Sequence, residues 1–363
     1  MEQIRCRLLG VEVKITAPKG VLCAAGAALL FGCSTPFAKL LIHNAHPILL
    51  AGLLYAGSGI GLALVVGARA LRRDTQTVWP HGKDLIWLLG ATVFGGIFGP
   101  ALLMFGLQES AASSASLLLN FEAVFTALLA WLVFKENCDR RIALGMALIV
   151  VGGLALSWSG EADQHFSSSS FFIVGACLCW AIDNNLTRKV SANDALVVAC
   201  LKGLVAGLAN ITLAVVLGQS FPNTSTIAAA GTIGFLGYGL SLTLFVLALR
   251  YLGAARTGAY FSVAPFFGAA LSFPLNGDPI TAQFVMAAAL MAGGVWLHLT
   301  ENHGHVHSHE ATTHTHEHTH DAHHQHDHAE GESTNGSHTH EHTHAPLTHD
   351  HAHYPDIHHQ HRH

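Results

Sequence analysis

The amino-acid sequence predicts an all-α membrane protein with ten transmembrane helices, arranged as two inverted five-helix repeats and followed by a disordered tail. Three observations predict this fold class. Of the 363 residues, 51% are hydrophobic and only 11% are charged, against about 25% charged in an average soluble domain. Ten apolar runs approach the roughly 20 residues that a helix needs to cross a bilayer. The first 300 residues also contain an internal repeat. A lipid bilayer is therefore the expected environment.

The ten apolar runs are bounded by charged residues, Pro or Gly. We expect them at 21–42, 47–68, 85–107, 111–134, 142–158, 170–188, 195–217, 227–249, 254–273 and 279–299. Pro36, Pro100 and Pro265 fall inside these runs, where a proline removes a backbone hydrogen bond and predicts a kink or break. The domains follow from the runs: a cytoplasmic N-terminus at 1–20, a first repeat at 21–158, an extracytoplasmic linker at 159–169, a second repeat at 170–300 and a tail at 301–363.

The distribution of Lys and Arg predicts the orientation. Fifteen of these residues lie in the N-terminus and in alternate loops, on the N-terminal side of the membrane, and none lies in the opposite loops. Because cytoplasmic loops carry the excess of Lys and Arg, both termini are expected to face the cytoplasm in a bacterial-type inner membrane. The basic residues form no patch of the kind that binds nucleic acid.

The internal repeat has two offsets. At 142 residues, Leu107, Ala112 and Phe125 match Leu249, Ala254 and Phe267. At 149 residues, Gly26-Ala27 and Leu29 match Gly175-Ala176 and Leu178. Five helices per repeat is an odd number, so the second repeat must enter the membrane from the opposite face. This arrangement is typical of secondary transporters, whose binding site lies near the midplane between the repeats.

Two stretches carry a family resemblance. These are AASSASLLLNFEAVFTALLAWLVFKE at 111–136 and GAARTGAYFSVAPFFGAALSF at 253–273. Together with the ten helices and two repeats, they resemble the paired signatures of EamA-type proteins in the drug/metabolite transporter superfamily. The resemblance implies a ten-helix inner-membrane carrier that moves small organic solutes, often outward. The usual Glu-Pro-Val of each signature is Glu122-Ala123-Val124 in the first stretch and Ala264-Pro265-Phe266 in the second.

Glu122 is the most deeply placed acid of the predicted helices. It lies about eleven residues into its helix, roughly 16 Å at 1.5 Å per residue, close to the polar Asn120. Ionisable groups at this depth usually face the bundle interior or a water-filled path. Glu122 is therefore either a proton or cation relay or a protonated acid that packs two helices together, and the sequence leaves both readings open.

Asp183 and Asn184 belong to the most polar patch within any predicted helix. Lys202 lies at a similar depth on the returning helix, because Asp183 is eight residues before the turn near 191 and Lys202 is eleven after it. A buried pair is expected, since each charge alone would be strongly disfavoured. The patch is either a binding site or a structural ion pair. Tyr55 and Tyr260 either stack on an organic substrate or pack between helices.

The tail alternates histidine with Thr, Glu and Asp. With 23 of the 28 histidines and few apolar residues, it is expected to be disordered. Imidazole suits Zn²⁺, Ni²⁺, Co²⁺ or Cu²⁺, so the tail is expected to bind metal ions, with a pH-responsive polyelectrolyte or drifted low-complexity sequence as the alternatives. The candidate ligands are His303, His305, His307, His309, His314, His316, His318, His320, His323, His324, His326, His328, His338, His340, His342 and His344.

Three functions fit these features. The first is a secondary transporter, an exporter of small organic metabolites with a metal-binding regulatory tail. The second is a divalent metal transporter whose tail collects or senses its cargo, and the third is a metal-binding membrane sensor that transports nothing. Organic cargo is favoured because metal paths need clustered His, Cys, Asp or Glu, and the core offers only Glu122, Asp183 and scattered cysteines. An enzyme is not expected, transport needs no cofactor, and a homodimer is left open.

Overall fold

The computed structural model describes residues 4–8, 11–15, 19–71, 79–134, 140–158, 168–191, 193–300, 304–309, 312–318, 338–344 and 347–352. The chain divides into two compact units, Met1–Glu301 and Asn302–His363. Most of the linker expected at 159–169 lies outside the described residues, except for its last two, which begin a helix.

The described residues of the first unit form helices, joined by loops, and one N-terminal hairpin, in which β1 (Ile4–Leu8) pairs antiparallel with β2 (Val11–Ile15). The helices of the first repeat are α1 (Lys19–Leu41), α2 (Pro47–Leu71), α3 (Lys83–Ala91), the π-helix π1 (Thr92–Phe98), α4 (Gly99–Glu109), α5 (Ala112–Leu118), α6 (Phe121–Phe134) and α7 (Arg140–Ser157). Those of the second repeat are α8 (Ser168–Val190), α9 (Ala195–Val216), α10 (Thr224–Ile233), the π-helix π2 (Gly234–Leu240), α11 (Ser241–Phe261), α12 (Ala264–Asn276) and α13 (Ala282–Leu299).

These helices confirm the predicted membrane fold. Within the described ranges, nine helical stretches have at least 18 residues and enough apolar character to cross a membrane, and the shorter apolar stretch Ala282–Leu297 takes the tenth place. We number them spans 1 to 10 in chain order. Spans 1, 2, 5, 6 and 7 are the helices α1, α2, α7, α8 and α9, and span 10 lies in α13. Span 3 is Lys83–Glu109, span 4 begins at Ala112, span 8 is Thr224–Leu252 and span 9 is Thr257–Asn276.

The backbone hydrogen bonds of α11 continue from the end of span 8 into the start of span 9. The chain nevertheless reverses its direction between the two spans. The rings of Phe245 and Phe261 lie 4.9 Å apart between centroids. Sixteen residues of straight α-helix would separate them by about 24 Å. The helix therefore bends back on itself between these residues, and the two spans predicted from the sequence remain distinct.

The repeat is visible in the helix boundaries. Adding 149 to the ends of α1 (19 and 41) gives the ends of α8 (168 and 190). Adding 142 converts π1 (92 and 98) into π2 (234 and 240), and α7 (140 and 157) into α13 (282 and 299). Two segments that differ in most side chains thus have the same helical irregularities at the same positions.

Close contacts show that the repeats are inverted. In spans 2 and 7, which are repeat equivalents, a Cβ at Gly59 would lie 2.4 Å from the backbone nitrogen of Leu204, and one at Gly207 would lie 2.5 Å from that of Ala56. The earlier residue of one helix meets the later residue of the other, so the two helices run antiparallel. Small residues let their backbones approach this closely.

The outer surface of the helical unit is apolar. Large exposed side chains include Leu64, Phe171, Leu208 and Val216, each at least 67% exposed. In water such a surface would be unfavourable, whereas acyl chains cover it without cost. The first unit is therefore an integral membrane domain.

The tail forms the second unit. Its described segments are four short strands: β3 (Gly304–His309), β4 (Thr312–His318), β5 (His338–His344) and β6 (Leu347–Ala352). Strand β3 pairs antiparallel with β6, and β4 with β5. Where the sequence predicts disorder, the structure thus has two short strand pairs, and the alternation of histidine with other residues matches the two-residue period of a strand.

Candidate functional site

A pocket lies where two transmembrane spans are broken at equivalent positions. The sequence predicted one continuous helix over 111–134, but span 4 is interrupted at Leu119–Asn120, between α5 and α6. Span 9 is interrupted at Ser262–Val263, between α11 and α12. Asn120 and Ser262 are 142 residues apart, so the two breaks are related by the repeat.

Short turns form the first break. The backbone N–H of Asn120 donates to Leu117 O at 3.0 Å, and that of Glu122 donates to Leu119 O at 3.0 Å. These contacts span three residues instead of the four of an α-helix. The break places Glu122 in the first turn of α6, not deep within a continuous helix as the sequence suggested.

Both breaks line the pocket, which has a volume of about 360 Å³ including its open side. Polar groups from span 4 and span 6 face aromatic and small residues from spans 1, 8 and 9. The lining residues are Phe31, Leu119, Asn120, Glu122, Ala123, Thr126, Asn184, Phe245, Gly258, Phe261, Ser262, Ala264 and Pro265. The pocket therefore draws its walls from both repeats.

Glu122 is the acid of this pocket. It is 9% exposed, and the Asn184 Nδ2 donates to its Oε1 at 2.7 Å. Among the described residues its hydrogen-bond partner is this amide, and no cation pairs with it. The sequence had placed Glu122, Asn120 and Asn184 among the candidate site residues, and the structure brings all three to one pocket.

Asn120 has one satisfied and one free polar atom. Its Nδ2 donates to Leu117 O at 2.9 Å, and the residue is 1% exposed. Within the described chain, the Asn120 Oδ1 has no hydrogen-bond partner, and the same holds for the Thr126 Oγ1. A buried polar atom without a partner is costly, so the Asn120 Oδ1 is an available acceptor at the pocket wall, and the Thr126 hydroxyl can accept or donate there.

A second polar cluster joins spans 6 and 7. The Lys202 ammonium contacts both carboxylate oxygens of Asp183, at 2.5 Å and 2.7 Å, and Thr187 Oγ1 at 3.3 Å. The Thr187 hydroxyl also donates to Asp183 Oδ1 at 2.8 Å. Lys202 is fully buried and Asp183 is 5% exposed. The pair expected from matching depth is present, and Lys202 does not extend to an interface. It does not line the pocket.

Pro100 explains a third group of contacts, around π1. Its nitrogen has no hydrogen to donate to Gly96 O, four residues earlier, or to Gly95 O, five residues earlier. Side chains supply the missing donors. The Tyr55 hydroxyl and the Trp180 Nε1 donate to Gly95 O at 2.7 Å and 3.0 Å, and the Asn210 Nδ2 donates to Gly96 O at 3.0 Å. We call these three side chains the π1 clamp.

Two predicted aromatic residues lie away from the pocket. Tyr55 belongs to the π1 clamp, where its hydroxyl is already bonded to the backbone. Tyr260 packs against a small apolar cluster that includes Ala24, Ala248 and Leu252. Neither lines the pocket. In the structure both residues pack between helices, and their positions give no support to stacking on a substrate.

Several residues of these clusters were not singled out from the sequence. Asn210 is fully buried in the structure, and an asparagine within a long apolar run was the signal that the sequence offered. Thr187 follows Asp183 by one helical turn, the spacing at which side chains meet. Phe31 is the repeat counterpart of Trp180, and their ring centroids lie 5.5 Å apart. This contact between equivalents lies on the axis that relates the repeats.

In the described part of the helical unit, metal-ligating residues do not form clusters. Among the side chains that the structure describes, no group of three or more His, Cys, Asp or Glu could hold a metal ion. In the tail, strands β3, β4 and β5, of which only the backbone is described, carry ten of the candidates: His305, His307, His309, His314, His316, His318, His338, His340, His342 and His344. The remaining candidates, His303, His320, His323, His324, His326 and His328, lie outside the described residues.

Comparison with known proteins decides the family. The model of the EamA-like transporter family matches residues 18–158 and 167–300, one match for each repeat. The chain belongs to this family. The match ends at the tail, so the tail is an addition to the family domain. Membership of this family makes the protein a membrane transporter.

Individual relatives have low sequence identity to this chain but match it over most of their length. A protein of Salmonella typhimurium named "Probable amino-acid metabolite efflux pump" is 26% identical over 75% of this chain and 91% of its own length. A "Probable terminal-alkyne amino-acid exporter" of Streptantibioticus cattleyicolor is 24% identical over 66% of this chain and 80% of its own. A crystal structure with 16% identity covers 77% of this chain and 94% of its own, with a TM-score of 0.60, and shows the same fold.

Proposed function

We propose that this EamA-family transporter exports small organic metabolites and binds them in the pocket between the breaks of spans 4 and 9. The observation that carries the proposal is the position of the pocket. Discontinuous helices at the interface of inverted repeats are the usual site of substrate binding in secondary transporters. Here both repeats contribute a break, and both breaks line the same cavity.

The arrangement suits alternating access. Spans 4 and 6 supply the polar wall, while spans 1, 8 and 9 supply most of the apolar wall. If one wall rocks against the other, the pocket opens first to one face of the membrane and then to the opposite face. The solute stays at one place while the walls move, so no continuous channel is needed.

The direction of transport is proposed from the relatives. Two of the matching proteins are named as an efflux pump and an exporter, and both names concern amino acids or their metabolites. These names describe those proteins. They make export of small organic solutes the first activity to test for this chain.

The direct test compares the culture media of bacterial cells that express the protein, an inactive Glu122→Gln variant, or nothing. We expect a small set of organic metabolites to accumulate outside the cells only with the wild type, measured by mass spectrometry. The surface variant Glu109→Gln serves as the matched control, because Glu109 is exposed and lies outside the pocket. Identical media for all four strains would refute the proposal.

We also propose that both termini face the cytoplasm. Fifteen Lys and Arg residues on one side of the predicted topology, against none on the other, support this orientation. A fluorescent protein that matures only in the cytoplasm should be bright when fused after residue 300. An alkaline phosphatase fusion at the same point should be inactive. The reverse pattern would contradict the proposed orientation.

We also propose that the tail binds metal ions and thereby regulates the transporter. In β4 and β5, His314, His316 and His318 are opposite His342, His340 and His338 in the strand register. Histidines two residues apart share one face of a strand, so paired strands present several imidazoles together. Such a face suits Zn²⁺, Ni²⁺, Co²⁺ or Cu²⁺.

Titration of the full-length protein with Zn²⁺ tests the tail, with a chain truncated after residue 300 as control. We expect several ions to bind the full chain and these sites to be absent from the truncated one. Affinity should fall as the pH drops below about 6, because only neutral imidazole binds metal. Equal binding by both chains would exclude the tail as the metal site.

A further inference from the structure

The pocket offers hydrogen-bond acceptors that nothing in the described structure fully uses. The Asn120 Oδ1 and the Thr126 Oγ1 have no partner among the described residues. Glu122 adds a carboxylate, of which one oxygen accepts from Asn184. Asn120 and Glu122 are at least nine-tenths buried. The Asn120 Oδ1 and the Glu122 carboxylate only accept hydrogen bonds, and the Thr126 hydroxyl can accept as well as donate. This set of groups suits a ligand that donates hydrogen bonds.

Charge points to the same kind of ligand. None of the described residues that line the pocket carries a cationic side chain. The buried cation of the neighbouring cluster, Lys202, is held by both oxygens of Asp183 and by Thr187. A carboxylate or phosphate would therefore enter the pocket without a cationic partner, which is unfavourable away from water.

The apolar wall is compatible with a cation. Phe31, Phe245 and Phe261 belong to the lining, and their rings form a connected group, with Phe31 to Phe261 at 5.4 Å and Phe245 to Phe261 at 4.9 Å. Aromatic faces attract ammonium groups and also hold hydrocarbon. The pocket thus combines acceptors on one wall with an aromatic surface on the other.

Asn184 fills one ligand position in the structure. Its Nδ2 donates to Glu122 Oε1 at 2.7 Å. An ammonium group donates a stronger, charge-assisted hydrogen bond than a neutral amide does, and it has three hydrogens to share among several acceptors. A cationic ligand can therefore replace this amide at Glu122.

We propose that the pocket selects solutes that carry a protonated amino group, which displaces the Asn184 amide from Glu122. This inference rests on the proposed function, because it names the substrate class of the same pocket. Asn184 then holds the empty carboxylate and is not itself a substrate ligand. A primary amine with an apolar body satisfies the acceptors and the aromatic wall, whereas a solute with only negative charge does not.

Three probes of similar shape separate these cases: phenethylamine, 2-phenylethanol and 3-phenylpropionate. Their binding to the purified full-length protein is measured by calorimetry in detergent. We expect phenethylamine to bind about tenfold more tightly than the alcohol, the gain of one charge-assisted hydrogen bond, and 3-phenylpropionate to bind most weakly. Equal affinities for the amine and the carboxylate would overturn the proposal.

Two variants should change the affinity for phenethylamine in opposite directions. Glu122→Gln should weaken phenethylamine binding by about tenfold or more and leave the alcohol unchanged, while the exposed-acid control Glu109→Gln should behave as the wild type. Asn184→Ala should strengthen amine binding several-fold, because it removes the competing donor. Weaker amine binding by a folded Asn184→Ala protein would show that Asn184 contacts the solute and would contradict the displacement.

The outcome is separable from that of the proposed function. If the cells export neutral or acidic metabolites and the purified protein shows no preference for the amine, export stands and amine selection falls. If the amine binds as expected while the culture media of expressing and non-expressing cells are identical, amine binding stands and the export function falls. Glu122→Gln that fails to fold leaves the Asn184→Ala measurement to decide.

Discussion

Two repeat-related regions of the helical unit have the same backbone arrangement but differ in the charge of the side chains at three equivalent positions. We call them the charged side (spans 4, 6 and 7) and the neutral side (spans 9, 1 and 2), after the side chains at the three positions compared next. The charged side carries Glu122, Asp183 and Lys202. The repeat offsets of 142 and 149 place Ala264, Ser34 and Leu53 at the equivalent positions on the neutral side.

Close packing is preserved between the two sides. A Cβ on Gly95 would lie 1.8 Å from the carboxylate of Asp183, and a Cβ on its equivalent Gly237 would lie 2.5 Å from Ser34. Each π-helix thus packs a glycine against the same position of the opposite repeat. The breaks, the π-helices and the glycines occur on both sides, whereas at the three compared positions a charged side chain occurs on one side only. We infer that the charged side carries the solute chemistry and the neutral side supplies the matching surface.

The largest expected effect comes from breaking the buried pair. Asp183→Asn or Lys202→Gln alone should each cost about 3–5 kcal/mol of unfolding free energy, because one buried charge loses its partner. The double variant should recover much of that loss. Chemical unfolding in detergent measures the cycle, and strictly additive losses would show that the two residues do not stabilise each other.

Placing an acid on the neutral side tests whether the asymmetry is structural. Ala264→Glu should cost about 3 kcal/mol, since the new carboxylate is buried and the position equivalent to Asn184 holds Thr35, a poorer donor. Adding Thr35→Asn, which copies Asn184, should restore part of the stability. A freely tolerated Ala264→Glu would mean that the neutral side is not dry enough to exclude charge.

The π1 clamp gives a smaller effect with its own rescue. Asn210→Ala should cost about 1–2 kcal/mol because Gly96 O loses its donor. Pro100→Ala in the same chain should return most of this, since alanine brings a backbone N–H within reach of the orphaned carbonyl. Thermal unfolding of the single and double variants tests this, and no rescue by Pro100→Ala would separate the clamp from the proline.

Removing the Tyr55 hydroxyl should have the smallest effect. Trp180 still donates to Gly95 O in Tyr55→Phe, so the loss should stay below about 1 kcal/mol. Tyr55→Phe combined with Trp180→Phe should cost more than the sum of the two single changes, because only then does the carbonyl lose both donors. Additivity would indicate that the two donors act independently and that neither compensates for loss of the other.

The sequence predicted the parts of this structure that depend on long apolar runs and on counting. Ten spans, their pairing by repeat, and the contact between Asp183 and Lys202 all follow from spacing along helices. The break at Leu119–Asn120 was not predictable in this way, because no proline or glycine marks it. Of the kink or break predicted at Pro36, the break does not occur, since α1 continues through this residue.

Contacts between distant segments were also beyond the sequence. Nothing in the spacing of Glu122 and Asn184 indicates that spans 4 and 6 meet with these side chains facing each other. The role of Tyr55 as a donor to Gly95 O depends on Pro100, which lies in another span. Such pairings arise from tertiary packing, so the sequence could name the polar candidates but could not sort them into a pocket and a clamp.

Export by two variants tests the division between the sides most directly. Glu122→Gln, on the charged side, should lower the accumulation of exported metabolites in the medium by about tenfold or more. Ser34→Ala, at the neutral equivalent of Asp183, should leave it within about twofold. Both proteins must be recovered folded, in equal amounts, by size-exclusion chromatography. Equal loss in the two variants, or full activity of Glu122→Gln, would contradict the assignment of the chemistry to the charged side.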